Sequence, residues 1–242
     1  MTVNCEELMT TILALAAFFL QSATFALVII AVRRQDIAAV VNSIVVFALA
    51  LLPAAAEIVL PVVTNRGIQF DPVLPAWLAA AGFLHSLGML GLYESTWWWD
   101  HLTHTVSAGL VTALIYAGVI VTLPEMAGRA VSPMAVVAAT VVFTFALGVF
   151  WELLELVTRN VGDRFDIEPL LIHYGWRDTV ADLGFNVVGI FLIIGTDLRI
   201  FVPLMDQFPD ATTAVLIVGG WILVGSSVIM ALAIALTSLR KS

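Results

Sequence analysis

The sequence predicts an all-α fold, a polytopic transmembrane helical bundle of about seven spans. Of the 242 residues, 61% are hydrophobic and only 12% are charged, whereas about 25% of residues are charged in a typical soluble domain. The hydrophobic residues fall into runs of about twenty, the length that a helix needs to cross the hydrocarbon core of a bilayer. The runs lack the two-residue alternation of barrel strands, and in lipid only helices and closed barrels satisfy every backbone group.

Seven apolar segments can be drawn as the spans of one transmembrane domain that covers residues 1–242. They run roughly over 8–32, 37–63, 74–93, 101–123, 133–157, 179–200 and 212–238. Turn-forming residues such as Asn65-Arg66-Gly67 and Ser132-Pro133 separate them. Because Glu6 and Glu7 precede the first segment where a signal peptide carries positive charge, we interpret that segment as a retained span.

The basic residues predict an N-terminus outside the cell and a C-terminus inside it, since cytoplasmic loops are enriched in lysine and arginine. In this orientation, seven basic residues face the cytoplasm and three face the outside. The inner set is Arg33, Arg34, Arg159, Arg164, Arg177, Arg240 and Lys241, and the outer set is Arg66, Arg129 and Arg199. An even number of spans would put the basic C-terminus outside, so the same count favours an odd number.

The overall charge indicates the environment of the protein and excludes one class of partner. The formal net charge is −8, and nine of the ten basic residues are arginine. This acid-rich, lysine-poor balance indicates a halophilic protein of a high-salt cytoplasm, although chance in a small set of loop residues would also explain it. It argues against nucleic acid as a partner. The single cysteine, Cys5, excludes a disulfide framework and a cysteine metal motif. We therefore expect a multi-pass protein of the cell membrane surrounded by lipid, with no protein partner indicated.

Ionisable residues collect at the expected cytoplasmic ends of three consecutive spans. The fourth span begins with Asp100-His101-Leu102-Thr103-His104, whose three ionisable side chains share a sector of about 100°. The fifth ends with Glu152 and Glu155, three residues apart, and the sixth begins with Asp178 and Asp182, four residues apart. These helical spacings predict one polar cluster at a common depth. Asn186 follows Asp182 by one further turn.

A divalent metal ion would neutralise such a cluster. A charged side chain near the bilayer centre costs roughly 2.5–3.5 kcal/mol, so these groups should face the bundle interior and find partners there. Five carboxylates against Arg159 and Arg177 leave three negative charges, which protonation or a bound cation would remove. The predicted ligands of a Zn, Mn or Fe ion are His101, His104, Glu152, Glu155, Asp178 and Asp182, with His85 and Asp100 as further candidates.

Two other interpretations of the cluster stay open. The carboxylates could form a structural polar plug with Arg159, Arg177 and backbone groups. They could also relay protons or ions without a fixed metal. The Glu-x-x-His pattern of dinuclear carboxylate proteins is absent from the sequence.

Together these segments resemble the YjdF-like family of uncharacterised polytopic membrane proteins over roughly residues 45–195. The residues that carry the resemblance are Pro53, Glu57, His85, Gly88, Gly91, Tyr93, the Asp100–His104 stretch, Trp151-Glu152-Leu153-Leu154-Glu155 and Arg177-Asp178-Thr179-Val180-Ala181-Asp182. The resemblance implies a helical membrane fold and no particular activity. The family usually shows a Gly-Asp-x-x-Asp-Thr arrangement before the sixth span, whereas Tyr174-Gly175-Trp176-Arg177 precedes Asp178 here. A fainter similarity to VanZ-like proteins lies in Asp182, Asn186 and Gly189.

The leading functional hypothesis is a metal-binding integral membrane protein with its site near the cytoplasmic face. As an enzyme, it would be a metal-dependent hydrolase that acts on a lipid-like ester or phosphoester at the inner leaflet. In this hypothesis Glu152 and Asp178 are the catalytic residues. Oxidation chemistry at a pair of iron or manganese ions is equally compatible with the residues. The alternatives are a proton or cation transporter, a non-catalytic membrane subunit with a structural cluster, and a haem protein that pairs His85 with His104.

Overall fold

The computed structural model describes residues 4–65, 67–167, 169–171 and 174–239. In these ranges the regular elements are α1 (Cys5–Arg34), α2 (Ile37–Thr64), α3 (Val73–Leu87), a π-helical turn (Gly88–Leu92), α4 (Tyr93–Ser95), α5 (Trp99–Ala127), α6 (Pro133–Phe165), α7 (Trp176–Gly195), α8 (Val202–Asp206) and α9 (Pro209–Leu239). Seven helices of the described chain are long and apolar enough to cross a membrane, with Val73–Ser95 counted as one. The predicted all-α, multi-pass membrane fold is confirmed. The direction in which the spans cross the membrane stays a prediction.

α6 and α7 differ most from the apolar segments that predicted them. α6 continues to Phe165, eight residues beyond the expected end at 157, and stops where Asp166 adopts a left-handed conformation (φ 54°). α7 begins at Trp176 and ends at Gly195 rather than near 200. Arg159, Asn160 and Asp163 end the apolar run of α6 without ending its helix, because hydropathy reports contact with lipid and not backbone hydrogen bonding.

The chain forms two compact units, residues 1–103 and 104–242, and the division falls inside α5, after its first turn. In the first unit, α1, α2 and α3 pack against one another. A Cβ atom added at Gly82 of α3 would lie 3.1 Å from the Cβ of Val46 in α2, so this glycine permits close packing.

In the second unit, α6 packs against both α7 and α9. At Gly189, α7 approaches the backbone of α5 closely. A Cβ atom at Gly189 would lie 2.7 Å from the carbonyl oxygen of Thr105 and 2.9 Å from the nitrogen of Gly109. The helices can meet here only because position 189 has no side chain.

Candidate metal centre

His104 of α5 and Asp182 of α7 face each other in the second unit. The Nε2 atom of His104 lies 3.9 Å from Oδ1 of Asp182, and the two side chains are 12% and 1% exposed. Asp182 is thus a carboxylate almost fully removed from solvent within a spanning helix. Two ligands that each lie about 2.1 Å from one metal ion are roughly 3.0–4.2 Å apart, depending on the angle between them. The observed separation therefore fits two ligands of one ion.

Asn186 orients the imidazole of His104. Its Oδ1 atom lies 3.3 Å from Nδ1 of His104, and because an amide oxygen only accepts, the Nδ1–H group donates this hydrogen bond. A Cβ atom at Gly148 of α6 would lie 2.9 Å from Nδ2 of Asn186, so the amide fits closely against α6. A ligating histidine generally donates its second N–H to a carbonyl or carboxylate oxygen in this way. The arrangement turns Nε2 of His104 toward Asp182.

Asp100 lies one turn before His104 on the same helix, in the first turn of α5. One ligand atom from each of Asp100, His104 and Asp182 lies within 4.8 Å of the other two, so these three residues could hold a metal ion. Two carboxylates and a neutral imidazole would balance the charge of a divalent cation. The donor set of one nitrogen and carboxylate oxygens suits Zn, Mn or Fe(II).

Glu152 and Glu155 are both buried in α6. The indole Nε1–H of Trp151 donates a 2.8 Å hydrogen bond to Oε1 of Glu155. Glu152 lies one turn beyond Gly148 on α6, and Asp182 lies one turn before Asn186 on α7. Because consecutive spans run in opposite directions, the contact between Gly148 and Asn186 places Glu152 and Asp182 at the same level of the helix pair.

Two other predicted ligands, His101 and Asp178, have contacts that the structure describes, and their ligation of a metal ion stays a prediction. The ring of His101 makes an edge contact with the ring of Trp97, with centroids 6.2 Å apart. Oδ2 of Asp178 accepts a 3.3 Å hydrogen bond from the backbone nitrogen of Tyr174, just before α7. Asp178 also lies in the first turn of α7, where the helix dipole favours a carboxylate.

His85 belongs to a polar network inside the first unit. Nδ2 of Asn42 donates to the carbonyl oxygen of Ala38, which leaves Oδ1 of Asn42 facing Nε2 of His85 at 3.3 Å. The Nε2–H tautomer of His85 follows, and the hydroxyl of Tyr93 donates a 2.7 Å hydrogen bond to Nδ1. His85 was predicted as a further metal ligand, and the sequence indicated no structural role for Asn42 or Tyr93.

The π-helical turn brings Tyr93 to His85. In a continuous α-helix, residues eight apart are separated by about 12 Å along the axis. Gly91 adopts φ 122° inside the turn, which interrupts the helix, and the ring of Tyr93 lies directly over Gly88, where a side chain would collide with it. The side chains of Trp99 and Arg34 donate to the carbonyl oxygens of Leu84 and Leu90. One of these hydrogen bonds reaches the last turn of α3 and the other reaches the middle of the π-helical turn.

A separate charged network follows the C-terminal end of α7, outside the spanning segment. The guanidinium of Arg199 donates a 2.8 Å hydrogen bond to Oδ1 of Asp197, and the hydroxyl of Tyr116 donates to the same oxygen at 2.5 Å. The Arg199 hydrogen bond, followed by the Tyr116 hydrogen bond, lowers the pKa of Asp197 below its ordinary value. Asp197 has φ 50°, a conformation that aspartate and asparagine tolerate better than most residues.

The match to a known family covers most of the chain. The family model described as "Predicted membrane protein (DUF2238)" matches residues 15–201. The chain belongs to this family. The residues that match the DUF2238 model include α5, α6 and α7, the helices around the candidate metal centre. They do not include α9. The match confirms the predicted membership of an uncharacterised membrane family, and the more specific YjdF-like and VanZ-like resemblances stay predictions. No curated protein and no solved structure matches the chain.

Proposed function

We propose that the protein is a metal-dependent membrane hydrolase whose ion is held by His104 and Asp182, with Asp100 as a third ligand. The observation that carries this proposal is the position of Asp182, 1% exposed and 3.9 Å from Nε2 of His104. A carboxylate at this depth needs a positive partner. A divalent cation supplies that partner and uses the nitrogen that Asn186 turns toward Asp182.

Three protein ligands are typical of catalytic metal sites, since they leave coordination positions for water and substrate. A bound divalent ion would lower the pKa of such a water and polarise the carbonyl or phosphoryl group of a substrate. Glu152 is the proposed general base, because it is buried at the level of Asp182 on the facing helix. Asp178 is proposed to hold the segment that leads into α7 through its hydrogen bond with Tyr174.

A membrane lipid is the proposed substrate. Asp182 lies six residues after the start of α7, about 9 Å along the helix axis, and the α-helical spans are surrounded by lipid. A substrate that reaches this depth from the bilayer carries its ester or phosphoester bond near the membrane surface and its acyl chains in the core. This supports a lipid ester or lipid phosphoester over a water-soluble metabolite.

Metal analysis of protein purified without chelator tests the binding step. We expect about one equivalent of Zn, Mn or Fe per chain, lost in both His104→Ala and Asp182→Asn. Glu125→Gln is the matched control, because Glu125 is an exposed carboxylate at the far end of α5. A metal-free wild type that remains folded after loading with each of the three ions would contradict the proposal.

Hydrolysis is tested separately in vesicles that contain the purified protein and phospholipid. Release of fatty acid or phosphate should require the metal, and it should be lost in Glu152→Gln while the metal content stays unchanged. Metal binding without hydrolysis of any ester or phosphoester lipid would restrict the proposal to a metal-binding protein. Equal turnover by wild type and Glu152→Gln would exclude Glu152 as the base.

A further inference from the structure

Polar residues flank the contact between α2 and α3 in the first unit. Gly82 of α3 lies directly against Val46 of α2, where a Cβ atom on the glycine would be 3.1 Å from the Cβ atom of Val46. One turn away along both helices, Asn42 of α2 meets His85 of α3, with 3.3 Å between Oδ1 and Nε2. An earlier residue of α2 thus meets a later residue of α3, so the two helices are antiparallel.

Ser43 and Ser86 face each other across the same contact. Each serine is the next residue after a member of the pair Asn42 and His85, and it lies about 100° further round its helix. Because the helices are antiparallel, the two rotations lead to the same side of the contact. The serines therefore lie at one level of the helix pair, on the side opposite to Asn42 and His85.

The hydroxyl groups of both serines are buried and have no protein partner. Ser43 and Ser86 are each 0% exposed, and in the part of the chain that the structure describes neither Oγ atom makes a hydrogen bond. Thr24 of α1 is almost as buried, but its hydroxyl donates to the carbonyl oxygen of Leu20 at 2.8 Å. A buried hydroxyl without a partner is costly, so two of them at one level indicate a partner that they share.

The residues one turn before the two serines are small. A helical side chain lies over the turn that precedes it, and one turn earlier Ser43 is preceded by Ala39 and Ser86 by Gly82. No long side chain from these positions occupies the space beside either hydroxyl. Since α1 packs against both α2 and α3, the space between the serines is also closed to bulk solvent.

Water is the ligand that suits this site. An ion would lack a counter-charge, because α3 carries no lysine, arginine or carboxylate, and the carboxylate of α2, Glu57, is about 21 Å from Ser43 along the helix axis. Two hydroxyls alone cannot replace the hydration shell of a cation. An internal water needs about two to four polar partners. The two serine hydroxyls can supply them, because each is both a donor and an acceptor.

We propose that one internal water molecule bridges the hydroxyl groups of Ser43 and Ser86 and joins α2 to α3. The bridge fixes the register of the two helices, because sliding one helix by a turn would separate the hydroxyls and leave the water without its partners. Acyl chains offer no hydrogen bonds, so the bridge favours the packed helix pair over separated helices in lipid. The site needs no metal ion and goes beyond the proposed hydrolase activity.

A structure of the wild type in lipid nanodiscs, at a resolution that shows ordered water, tests the proposal directly. We expect density for one water within hydrogen-bond distance of both Oγ atoms, and no such density in the double variant Ser43→Ala/Ser86→Ala. A direct hydrogen bond between the two serines, or a wild type without density between them, would overturn the proposal. The wild-type structure decides this even if the double variant does not fold.

A double-mutant cycle measures the coupling between the two hydroxyls. Ser43→Ala and Ser86→Ala should each lower the apparent Tm by roughly 2–8 °C, because each leaves the water and the remaining serine incompletely hydrogen-bonded. The double variant should lose much less than the sum of the single losses, since it removes both polar groups together. Additive losses would count against the bridge and overturn the proposal.

The cycle of Ser43→Ala with Thr24→Val is the matched control. The hydroxyl of Thr24 is buried in the same unit but bonds within its own helix, so these two substitutions should have additive effects. Coupling as large as that between Ser43 and Ser86 would show that the cycle reports general loss of packing, which also overturns the proposal. A chelator is present in all measurements, so their failure leaves the metal-binding result unaffected.

Discussion

Asn186 determines which nitrogen of His104 faces Asp182, although it contributes no ligand atom itself. Replacing it by leucine removes the acceptor of the Nδ1–H group, so the imidazole loses its fixed orientation. We expect the metal affinity of Asn186→Leu to fall by about 10- to 100-fold, the usual effect of removing a group that orients a ligand. Metal titration of the chelator-treated protein measures this change.

Asn186→Asp is the conservative comparison, because a carboxylate also accepts from Nδ1–H. Its affinity should stay close to that of the wild type. If the leucine and aspartate variants lose affinity equally, the orienting role of Asn186 is contradicted. Circular dichroism and thermal unfolding of both variants separate this effect from a loss of structure.

The carboxylate of Asp197 makes the stability of the protein depend on pH. Its pKa is lowered in the folded protein by Arg199 and then Tyr116, so the folded state gains stability from the ionised carboxylate. This contribution is complete above the pKa of the unfolded chain, about 3.9, and disappears as the pH falls through the folded value. Asp197→Asn should therefore lower the Tm near neutral pH, and the difference from wild type should shrink below about pH 4. A Tm difference that is independent of pH would contradict this account.

Helical spacing in the sequence could not show that Asp100, His104 and Asp182 form one group. Asp100, His101 and His104 share one sector of the fourth span, so the sequence predicted all three as candidates. The structure groups Asp100 and His104 with Asp182. The ring of His101 contacts the ring of Trp97, and its ligation of a metal ion stays a prediction. Which of these side chains meet Asp182 depends on packing between residues distant in sequence, which spacing does not encode.

Gly189 sets the separation of α5 and α7. Its replacement tests whether the close packing of these two helices is needed for stability and metal binding. A Cβ atom there would collide with backbone atoms at Thr105 and Gly109, which cannot move without shifting α5. Gly189→Ala should destabilise the protein by roughly 1–3 kcal/mol, as overpacking does, and should abolish metal binding because His104 and Asp182 are moved apart. Thermal unfolding and metal titration measure the two effects.

Gly184→Ala provides the control on the same helix. No atom lies within 4 Å of a Cβ atom at Gly184, which is exposed. Alanine in a helix interior is favoured over glycine by up to about 1 kcal/mol, so this variant should be as stable as the wild type or more stable. Destabilisation of both variants to the same extent would show that helix packing at Gly189 is not the cause.

The π-helical turn is an element that hydropathy did not predict. Residues Gly88, Gly91 and Tyr93 carried part of the family resemblance, but an apolar run reads the same whether the backbone is α-helical or π-helical. Strained backbone that persists in a fold is often tied to function. Here its result is the hydrogen bond between Tyr93 and His85.

Gly91→Ala tests whether this turn holds the histidine. Alanine is strained at φ 122°, so the variant should lose roughly 1–3 kcal/mol of stability and the contact between Tyr93 and His85. Nitrogen chemical shifts of the His85 ring report its tautomer. We expect a defined Nε2–H form in the wild type and a mixture of tautomers in Gly91→Ala. An unchanged His85 spectrum would show that the turn is dispensable for this network.

The orientation of the spans in the membrane is a prediction for the whole molecule that the fold does not test. Three of the ten basic residues that support it, Arg66, Arg240 and Lys241, lie outside the described residues. The single cysteine provides a direct measurement, because Cys5 is exposed at the start of α1. An impermeant maleimide should label it from outside intact cells.

The control moves the cysteine to the opposite side. Asp166→Cys in a Cys5→Ser background places a thiol after α6, where the predicted orientation puts the cytoplasm. This variant should be labelled only after the membrane is opened. Labelling of the Asp166→Cys variant from outside, together with protection of Cys5 in the wild type, would reverse the predicted topology and place the candidate metal centre near the outer face.

The burial pattern of α6 also constrains how the chain enters the bilayer during synthesis. A nascent chain that ends at Phe165 would present Glu152 and Glu155 to acyl chains, because the helix that faces them, α7, is not yet made. Partitioning of α6 alone out of the translocon is therefore unfavourable. We therefore expect α6 and α7 to integrate as a helical hairpin, so that the two glutamates pass from the water of the channel directly into the interior of the protein.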